Sequence, residues 1–293
     1  MKILLLGPNG QVGWELQRSL QPLGELTVVG RQVGDLCGDL AQPEALAATV
    51  RGLRPDVIVN AAAYTAVDKA EQEAELAQAI NVEGPRVLAH EAARLGACLV
   101  HYSSDYVFDG TGDQPREEDA PTAPLSVYGR TKLQGEQAIR SSGCRHLIFR
   151  TSWVYAARGG NFARTMLRLA LEREELRVVD DQIGAPTGAD LIADITAHAL
   201  RAGVDSGLWH LAAAGATSWH GYARFVLQWA RSRGMPVRVK EEALLAIRSE
   251  DYPTAATRPL NSRLSTQKLQ NDLGLRMPLW SNGVTRMLEE AYG

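Results

Sequence analysis

The first half of the chain alternates short apolar runs with longer stretches in which apolar residues recur every three or four positions. The apolar runs occupy residues 2–7, 26–30, 56–62, 98–104 and 146–152. Apolar residues fill these runs without strict alternation, which is typical of strands covered on both faces in a parallel sheet.

The stretches between the runs have helical spacing. Val12, Leu16 and Leu20 follow one another at four-residue steps, and residues 43–53 and 81–96 show a similar pattern. Side chains spaced in this way lie on one face of a helix. Regular alternation of strand and helix predicts an α/β fold with a doubly wound parallel sheet of the Rossmann type.

The alternation of predicted strands and helices becomes less regular after residue 152. Residues 161–176 indicate a charged helix, residues 177–200 a strand, turn and helix, and residues 207–213 one more strand. We therefore expect residues 1–151 to form the sheet domain. Residues 152–293 should form mainly a smaller, interleaved α/β lobe, with some strands and helices returning to the first domain.

Composition narrows the class of protein. The 293 residues are 45% hydrophobic and 22% charged with a net charge of −3, so no overall field favours nucleic acid or an anionic membrane. The apolar run at residues 2–7 is too short for a secretory signal or a membrane span. The three cysteines are widely spaced, which favours a reducing, cytoplasmic location over a disulfide framework or structural zinc.

A glycine motif follows the first predicted strand. Gly7, Gly10 and Gly13 are spaced G-x-x-G-x-x-G and open a predicted helix. Glycines at such a turn let main-chain N–H groups approach a pyrophosphate at the positive end of the helix. A glycine that merely ends a strand is the alternative, but strand, glycines and helix together predict dinucleotide binding by the first domain.

The end of the second predicted strand bears on coenzyme choice. An acidic residue there favours NAD, but this chain carries Gly30 and Arg31, and arginine accommodates a 2′-phosphate. The pattern predicts NADPH with tolerance of NADH, unless Arg31 is only solvated surface. Asp39 is either a helix cap or a partner of the adenine amino group. The small residues 61–63 suit a ribose lying against main chain, or simply close helix–sheet packing.

A hydroxyl and amine pair provides the candidate chemistry. Tyr128 and Lys132 are four residues apart on a predicted helix, and Ser104 and Asp105 end the fourth predicted strand. Since residues i and i+4 share a helix face, we expect the Lys132 ammonium to lower the pKa of Tyr128. A fall from ~10 to ~7 requires about 4 kcal/mol. With the dinucleotide motif, this set predicts a ketone/alcohol redox site rather than a chance pairing.

Several stretches carry a family resemblance: "GPNGQVGWELQRSL", "HYSSDYVFDGTGDQP", "PLSVYGRTKLQGE", "RTSWVYAARGGNFARTML", "DDQIGAPTGADLIAD" and "RPLNSRLSTQKL". From residue 2 to about 290 the chain resembles the extended short-chain dehydrogenase/reductase family. Its nearest resemblance there is to enzymes that reduce the C4 keto group of a nucleotide-linked deoxysugar. The resemblance implies a small-molecule nucleotide-sugar substrate and leaves the nucleotide, thymidine or uridine, open.

The resemblance also implies roles for individual residues. Tyr128 would donate the proton, and Lys132 would bind the nicotinamide ribose and lower the pKa of Tyr128. Ser104 would hold the substrate oxygen and Asp105 would contact the sugar. Trp153 would stack near the deoxysugar, although a core aromatic after a strand is the alternative. The implied coenzyme-binding residues are Gly7, Gly10, Gln11, Val12, Gly13, Gly30, Arg31, Asp39, Leu40, Ala63, Tyr64, Thr65, Tyr102 and Lys132.

Other functions and partners remain open at this stage. An epimerase or dehydratase of the same superfamily is one alternative, although Tyr106 stands where a dehydratase needs an acid. A non-catalytic regulatory subunit that binds the dinucleotide is another. The resemblance also allows a homodimer with Mg²⁺ at interface carboxylates such as Glu15, Glu289 and Glu290, but we predict no essential metal. Arg258 could bind a diphosphate or pair with an acid.

Overall fold

The computed structural model describes residues 1–293. In chain order the fourteen strands are β1 (Lys2–Leu6), β2 (Glu25–Val29), β3 (Gln32–Val33), β4 (Leu36–Cys37), β5 (Val57–Asn60), β6 (Cys98–Ser104), β7 (Arg145–Thr151), β8 (Val154–Tyr155), β9 (Leu176–Val179), β10 (Ile183–Gly184), β11 (Thr187–Gly188), β12 (Gly207–His210), β13 (Thr217–Ser218) and β14 (Leu244–Ile247). The eleven α-helices are α1 (Gln11–Leu20), α2 (Pro43–Leu53), α3 (Val67–Ala70), α4 (Ala74–Gln78), α5 (Gly84–Leu95), α6 (Val127–Ser141), α7 (Phe162–Glu172), α8 (Ala189–Ala202), α9 (Trp219–Ser232), α10 (Gln267–Leu273) and α11 (Trp280–Tyr292).

The central sheet has six parallel strands in the order β12-β7-β6-β5-β1-β2. Each of the five apolar runs supplies one strand, and the predicted strand near residue 207 supplies β12 at the edge. The predicted doubly wound α/β fold is therefore confirmed.

Burial on both faces explains why the strand sequences do not alternate. In β1, Ile3 and Leu5 face a core shared with α1 and α8, whereas Leu4 and Leu6 face a core shared with α2 and α5. All four side chains are at most 1% exposed. Each face of the sheet is thus covered by helices, and both sets of positions must be apolar.

The smaller lobe has its own core. Helices α7, α9 and α11 pack around the parallel pair β9 and β14, with Tyr222, Val226 and Leu288 fully buried between them. Strand β12 joins the central sheet and α8 packs on α1, as expected for an interleaved lobe. The domain division at residue 151 stays a prediction.

Two local features differ from the sequence expectations. The helix predicted from residue 81 begins two residues earlier with a π-helical segment, Ala79–Glu83, in which the Asn81 side chain bonds to the Tyr64 main chain. The helix predicted over 161–176 ends at Glu172, because Leu176 already begins β9. No helix has the length and apolarity needed to cross a membrane.

Candidate active site

Most of the residues singled out in the sequence lie at or just beyond the carboxyl ends of β1, β5 and β6, where open α/β sheets have their ligand-binding cleft. The parallel register places the ends of these neighbouring strands at one edge of the sheet, with Leu6 opposite Asn60 and Asn60 opposite His101. Ligands of open α/β sheets bind at this edge. The glycine loop, residues 61–65 and the Ser104–Asp105 pair all follow these ends.

The glycine loop requires glycine for steric reasons. Gly7 has a φ of +78°, and a Cβ there would lie 2.6 Å from the Ala62 nitrogen. A Cβ on Gly13 would lie 2.0 Å from the Gly7 carbonyl oxygen. The exposed Gly10 caps α1 without a side-chain hydrogen bond, and no acidic residue lies in the first turn. The N–H groups of α1 near Gln11 and Val12 therefore remain suited to an anion such as a pyrophosphate.

The residues predicted to meet the adenosine half of a dinucleotide follow β2. Gly30 and the exposed Arg31 follow the strand directly and precede the β3–β4 hairpin. Asp39 accepts hydrogen bonds from the Ala41 nitrogen at 3.0 Å and from the Gln42 side chain at 3.3 Å, so the structure gives it the turn-forming role. The Leu40 side chain is buried in the core, and only its main chain can face a ligand.

Structural partners occupy some of the residues expected beside the nicotinamide. The Tyr64 hydroxyl donates to Glu73 at 2.6 Å, and both Tyr64 main-chain groups bond to Asn81. The Tyr102 hydroxyl bonds to Thr196 at 2.8 Å, facing α8. Ala63 is half-buried and Thr65 is exposed. Among these four residues, Ala63 and Thr65 make no hydrogen bond that would occupy their polar groups.

Ser104 and Tyr128 form the hydroxyl pair of the cleft. The Ser104 hydroxyl donates to Asp105 at 2.9 Å and accepts from the Tyr106 nitrogen at 3.2 Å, which starts a short 3₁₀ turn. Tyr128 lies in the first turn of α6, which is capped by Ser126, and its ring meets the Tyr106 ring edge-on with centroids 5.5 Å apart. Desolvation raises the pKa of Tyr128 to about 12, with hydrogen bonding to Ser104 opposing the rise.

Lys132 is 2% exposed and does not hydrogen-bond to Tyr128. Its Nζ donates to the Tyr102 carbonyl at 2.6 Å and lies 3.4 Å from His101 Nε2. The prediction that the pKa of Tyr128 falls below its ordinary value is therefore wrong, because desolvation outweighs any stabilisation of the phenolate by Lys132. Burial also lowers the pKa of Lys132 to about 8.

Asp105 is the buried carboxyl of the cleft. It is 2% exposed, and its Oδ2 atom has no hydrogen-bond partner. Burial raises the pKa of Asp105 to about 6. Because the Oδ2 atom is itself buried, contact of Asp105 with a sugar stays a prediction.

Trp153 lies between β7 and β8, two residues after Thr151. It has a φ of +49°, and its indole stacks on Trp219 with centroids 3.6 Å apart and planes 11° apart. The Trp219 nitrogen donates to Gln182 at 3.1 Å, which fixes the stack on the smaller lobe. Half-buried Trp153 thus has the aromatic packing of the alternative reading, and its stacking on a deoxysugar stays a prediction.

Two further expectations concern charged groups. Arg258 donates to Asp68 at 2.6 and 3.1 Å, so it pairs with an acid, as the second of its two readings expected. Glu15 lies near Asp190 and Glu290, whereas Glu289 bonds to Arg233 and Trp229. No group of three His, Cys, Asp or Glu side chains has the arrangement of a metal site.

Sequence reasoning missed the buried polar residues around Lys132. Glu136 and Arg150 form a bidentate ion pair of 2.7 and 2.9 Å, and both are at most 3% exposed. His101 and Asn60 lie below Lys132 and are each 1% exposed. The only available signal was that His101 is a lone ionisable residue in the middle of an apolar strand.

Comparisons with known proteins agree with this geometry. A family model described as the RmlD substrate binding domain matches residues 1–292. The chain is 55% identical to the dTDP-4-dehydrorhamnose reductase of Escherichia coli (strain K12) over 296 residues, covering 100% of this chain and 98% of that protein. It is 49% identical to the dTDP-4-dehydrorhamnose reductase of Burkholderia thailandensis, covering 97% of each. The crystal structure of dTDP-4-dehydrorhamnose reductase from Bacillus anthracis in complex with NADP matches with a TM-score of 0.89 at 34% identity, covering 99% of this chain and 100% of that chain.

Proposed function

The chain belongs to the RmlD substrate binding domain family, and from this premise we propose that it catalyses the NADPH-dependent reduction of dTDP-4-dehydro-β-L-rhamnose to dTDP-β-L-rhamnose. The observation that carries the proposal is that Ser104, Tyr128 and Lys132 meet at the end of β6, at the same sheet edge as the glycine loop and the uncapped N-terminus of α1. This is the last step in making the activated sugar.

The residues present fit a dinucleotide. Gly7 and Gly13 leave space that a Cβ would fill, and the first turn of α1 offers unpaired N–H groups. Gly10, Gln11 and Val12 would lie over the pyrophosphate. Residues whose side chains are already hydrogen-bonded or buried would contact the coenzyme through their main chain. The remaining residues proposed to contact it are Gly30, Arg31, Asp39, Leu40, Ala63, Tyr64, Thr65, Tyr102 and Lys132.

Coenzyme preference rests on the end of β2. The exposed Arg31 is free to meet a 2′-phosphate, and Gly30 places no carboxylate there to repel it. We propose a preference for NADPH with tolerance of NADH. The NADP complex of the Bacillus anthracis relative supports NADPH as the coenzyme.

Bound NADPH supplies the hydride for C4 of the sugar, while the protein supplies the proton and the positioning. Ser104 holds the carbonyl oxygen by hydrogen bond, and Tyr128 protonates that oxygen. Because the pKa of Tyr128 is raised to about 12, the phenol is fully protonated at neutral pH and ready to act as the acid.

Lys132 and the sugar contacts complete the site. Lys132 would bind the nicotinamide ribose and stabilise the phenolate that proton transfer leaves on Tyr128. Asp105 would accept a hydroxyl of the sugar, and Trp153 would stack near the deoxysugar. The thymidine nucleotide, a homodimeric state and a cytoplasmic location also stay proposals.

The alternative functions differ from a reductase in whether they consume NADPH. An epimerase or dehydratase returns its hydride and consumes no net NADPH, and a regulatory subunit binds coenzyme without consuming it. Relatives named as reductases at 55% and 49% identity favour net reduction.

The test is steady-state NADPH oxidation with dTDP-4-dehydrorhamnose, followed by absorbance. We expect Tyr128→Phe to lower kcat by about 10²-fold or more while NADPH binding is retained, because the general acid is lost. Tyr222→Phe is the matched control, since its buried hydroxyl has no partner and lies in the core of the smaller lobe. Tight NADPH binding without oxidation by the wild type would instead support the regulatory subunit.

A further inference from the structure

A buried histidine lies directly beneath the catalytic lysine. His101 is in the middle of β6 and is 1% exposed, and its Nε2 atom lies 3.4 Å from Lys132 Nζ. Its Nδ1 atom lies 3.2 Å from the side-chain nitrogen of Asn60 on β5. A polar residue in such a strand must find partners, and here both ring nitrogens have one.

The partners of Asn60 fix the position of the ring proton. The Ala62 main-chain nitrogen donates to Asn60 Oδ1 at 3.2 Å, so the other amide atom of Asn60 is its nitrogen. That nitrogen can only donate, and His101 Nδ1 must therefore accept. A neutral imidazole that accepts at Nδ1 carries its proton on Nε2, which is the atom that faces Lys132.

This proton disfavours the charged form of Lys132. An Nε2–H group and an ammonium are both donors, whereas a neutral amine has a lone pair that can accept from Nε2–H. At the same time Lys132 Nζ donates to the Tyr102 carbonyl at 2.6 Å, which both forms can do. The hydrogen bonds around Lys132 thus match the neutral amine better than the ammonium.

Other charges around the contact do not reverse this effect. Glu136 on α6 is the nearby anion, but both of its oxygens bond to Arg150 on β7 at 2.9 and 2.7 Å. Strand β5 contributes the uncharged Asn60, and the π-helical segment contributes Asn81, which is also uncharged. The hydroxyl of Tyr102 on β6 is bonded to Thr196, away from the amine.

We propose that His101 is a positioning residue for the reaction, which holds Lys132 Nζ against the Tyr102 carbonyl and, through the chain Asn60–His101–Lys132, sets the pH above which the site loses its ammonium. The kinetic consequence rests on the proposed function, whereas the position of the ring proton does not.

The directions of the titrations agree with this arrangement. Burial and the neighbouring Lys132 hold the pKa of His101 well below its ordinary value, so the ring is neutral at physiological pH. Burial lowers the pKa of Lys132 to about 8, so its charge is lost as the pH rises above that value. Because an Nε2–H donor disfavours the ammonium form, removing this group should raise the pKa of Lys132.

Two variants separate the ring's two contacts. His101→Asn places an amide near the position of Nδ1 and keeps a partner for Asn60, but it no longer reaches Lys132. His101→Gln places an amide near the position of Nε2 and can turn its oxygen toward Lys132. We expect both to move the alkaline limb of the kcat/KM profile to higher pH, Gln by about one pH unit because it accepts from the ammonium. The exposed His90→Gln is the matched control and should leave the limb in place.

Magnetic resonance supplies the readout that does not depend on turnover. In wild-type protein with ¹⁵N-labelled histidine, His101 should be neutral with its proton on Nε2, and its signals are assigned by their loss in His101→Asn. In protein with ¹³C-labelled lysine, the Lys132 titration should shift to higher pH in His101→Gln.

A proton on Nδ1, or an imidazolium, would overturn the proposal even where no variant folds. A folded His101→Gln with an unchanged Lys132 titration and an unchanged alkaline limb would also overturn it. If the wild type oxidises no NADPH, the proposed function fails, and the ring proton and the lysine titration alone decide the role of His101.

Discussion

Coenzyme selection can be tested at Gly30, where the structure leaves room for a side chain. A Cβ built on Gly30 meets nothing within 4 Å, and its φ lies outside the left-handed region. Gly30→Asp therefore introduces a carboxylate at the end of β2 without strain. Arg31 beside it stays unchanged, so the effect of the new charge is isolated.

Two opposite effects set the magnitude. A carboxylate that accepts the ribose 2′-hydroxyl of NADH gains about 1.5–3 kcal/mol, the range for a hydrogen bond to a charged group. Against the 2′-phosphate of NADPH, with a charge of about −2 at about 4 Å in water, the repulsion is about 2 kcal/mol. The separation is shorter than the Debye length of about 10 Å at 0.1 M salt, so screening is partial. The ratio of kcat/KM for NADPH to that for NADH should fall by about 10²-fold or more, since each 1.4 kcal/mol is about tenfold.

The assay is steady-state kinetics with both coenzymes at two ionic strengths. Gly52→Asp is the control, because a Cβ on Gly52 likewise meets nothing within 4 Å, but Gly52 is exposed and lies on α2. It should leave the ratio within about twofold, as expected for a surface change away from the site. A folded Gly30→Asp protein with the wild-type ratio would refute the reasoning that β2 selects the coenzyme.

Three further predictions concern stability and substrate binding. Burial raises the pKa of Asp105 from 3.8 to about 6, so its carboxylate costs stability as the pH rises through this window. Asp105→Asn should raise the free energy of unfolding by up to about 3 kcal/mol at about pH 7 and leave it nearly unchanged at about pH 3.5, measured by denaturant titration. Arg150→Met strands a buried Glu136 and should cost about 3–5 kcal/mol in the same titration. Gly184→Ala places a Cβ 2.7 Å from the Trp153 ring and should raise KM for the sugar more than it lowers kcat, with a shift in tryptophan fluorescence.

Each of these has a contradicting outcome. Equal stabilisation of Asp105→Asn at both pH values would show that the raised pKa is not the cause. If Arg150→Met lowers the free energy of unfolding by less than about 1 kcal/mol, the pair contributes no more than an exposed ion pair does, and the reasoning from burial fails. An unchanged KM for Gly184→Ala, with the fluorescence shift present, would remove Trp153 from sugar binding.

The fold and the hydroxyl pair were predictable because they depend on local patterns. Continuous apolar runs such as residues 2–7 reflect burial on both faces, which only a covered parallel sheet provides. Gly7 and Gly13 are required by close main-chain contacts at a turn that the spacing already indicated. Tyr128 and Lys132 were found by their separation of four residues on one helix.

The partners of those residues were not predictable, since they come from distant segments. Lys132 finds the Tyr102 carbonyl 30 residues away, and Asn60 meets His101 across two strands 41 residues apart. The orientation of Lys132 decides whether its charge acts on Tyr128, and a helical spacing cannot specify that orientation. The same applies to Trp153, whose stacking partner Trp219 lies 66 residues further along the chain.

The pKa values of Tyr128 and Lys132 suit successive stages of a reduction. The reaction begins with a protonated phenol, and a pKa of about 12 ensures that form throughout the neutral range. An alkoxide at C4 is far more basic than a phenolate, so the proton moves downhill even from a weak acid. The charge of Lys132 matters after this transfer, because an ammonium favours the phenolate that remains. It follows that the alkaline loss of activity should track the deprotonation of Lys132 near its pKa of about 8, well below the titration of Tyr128 itself.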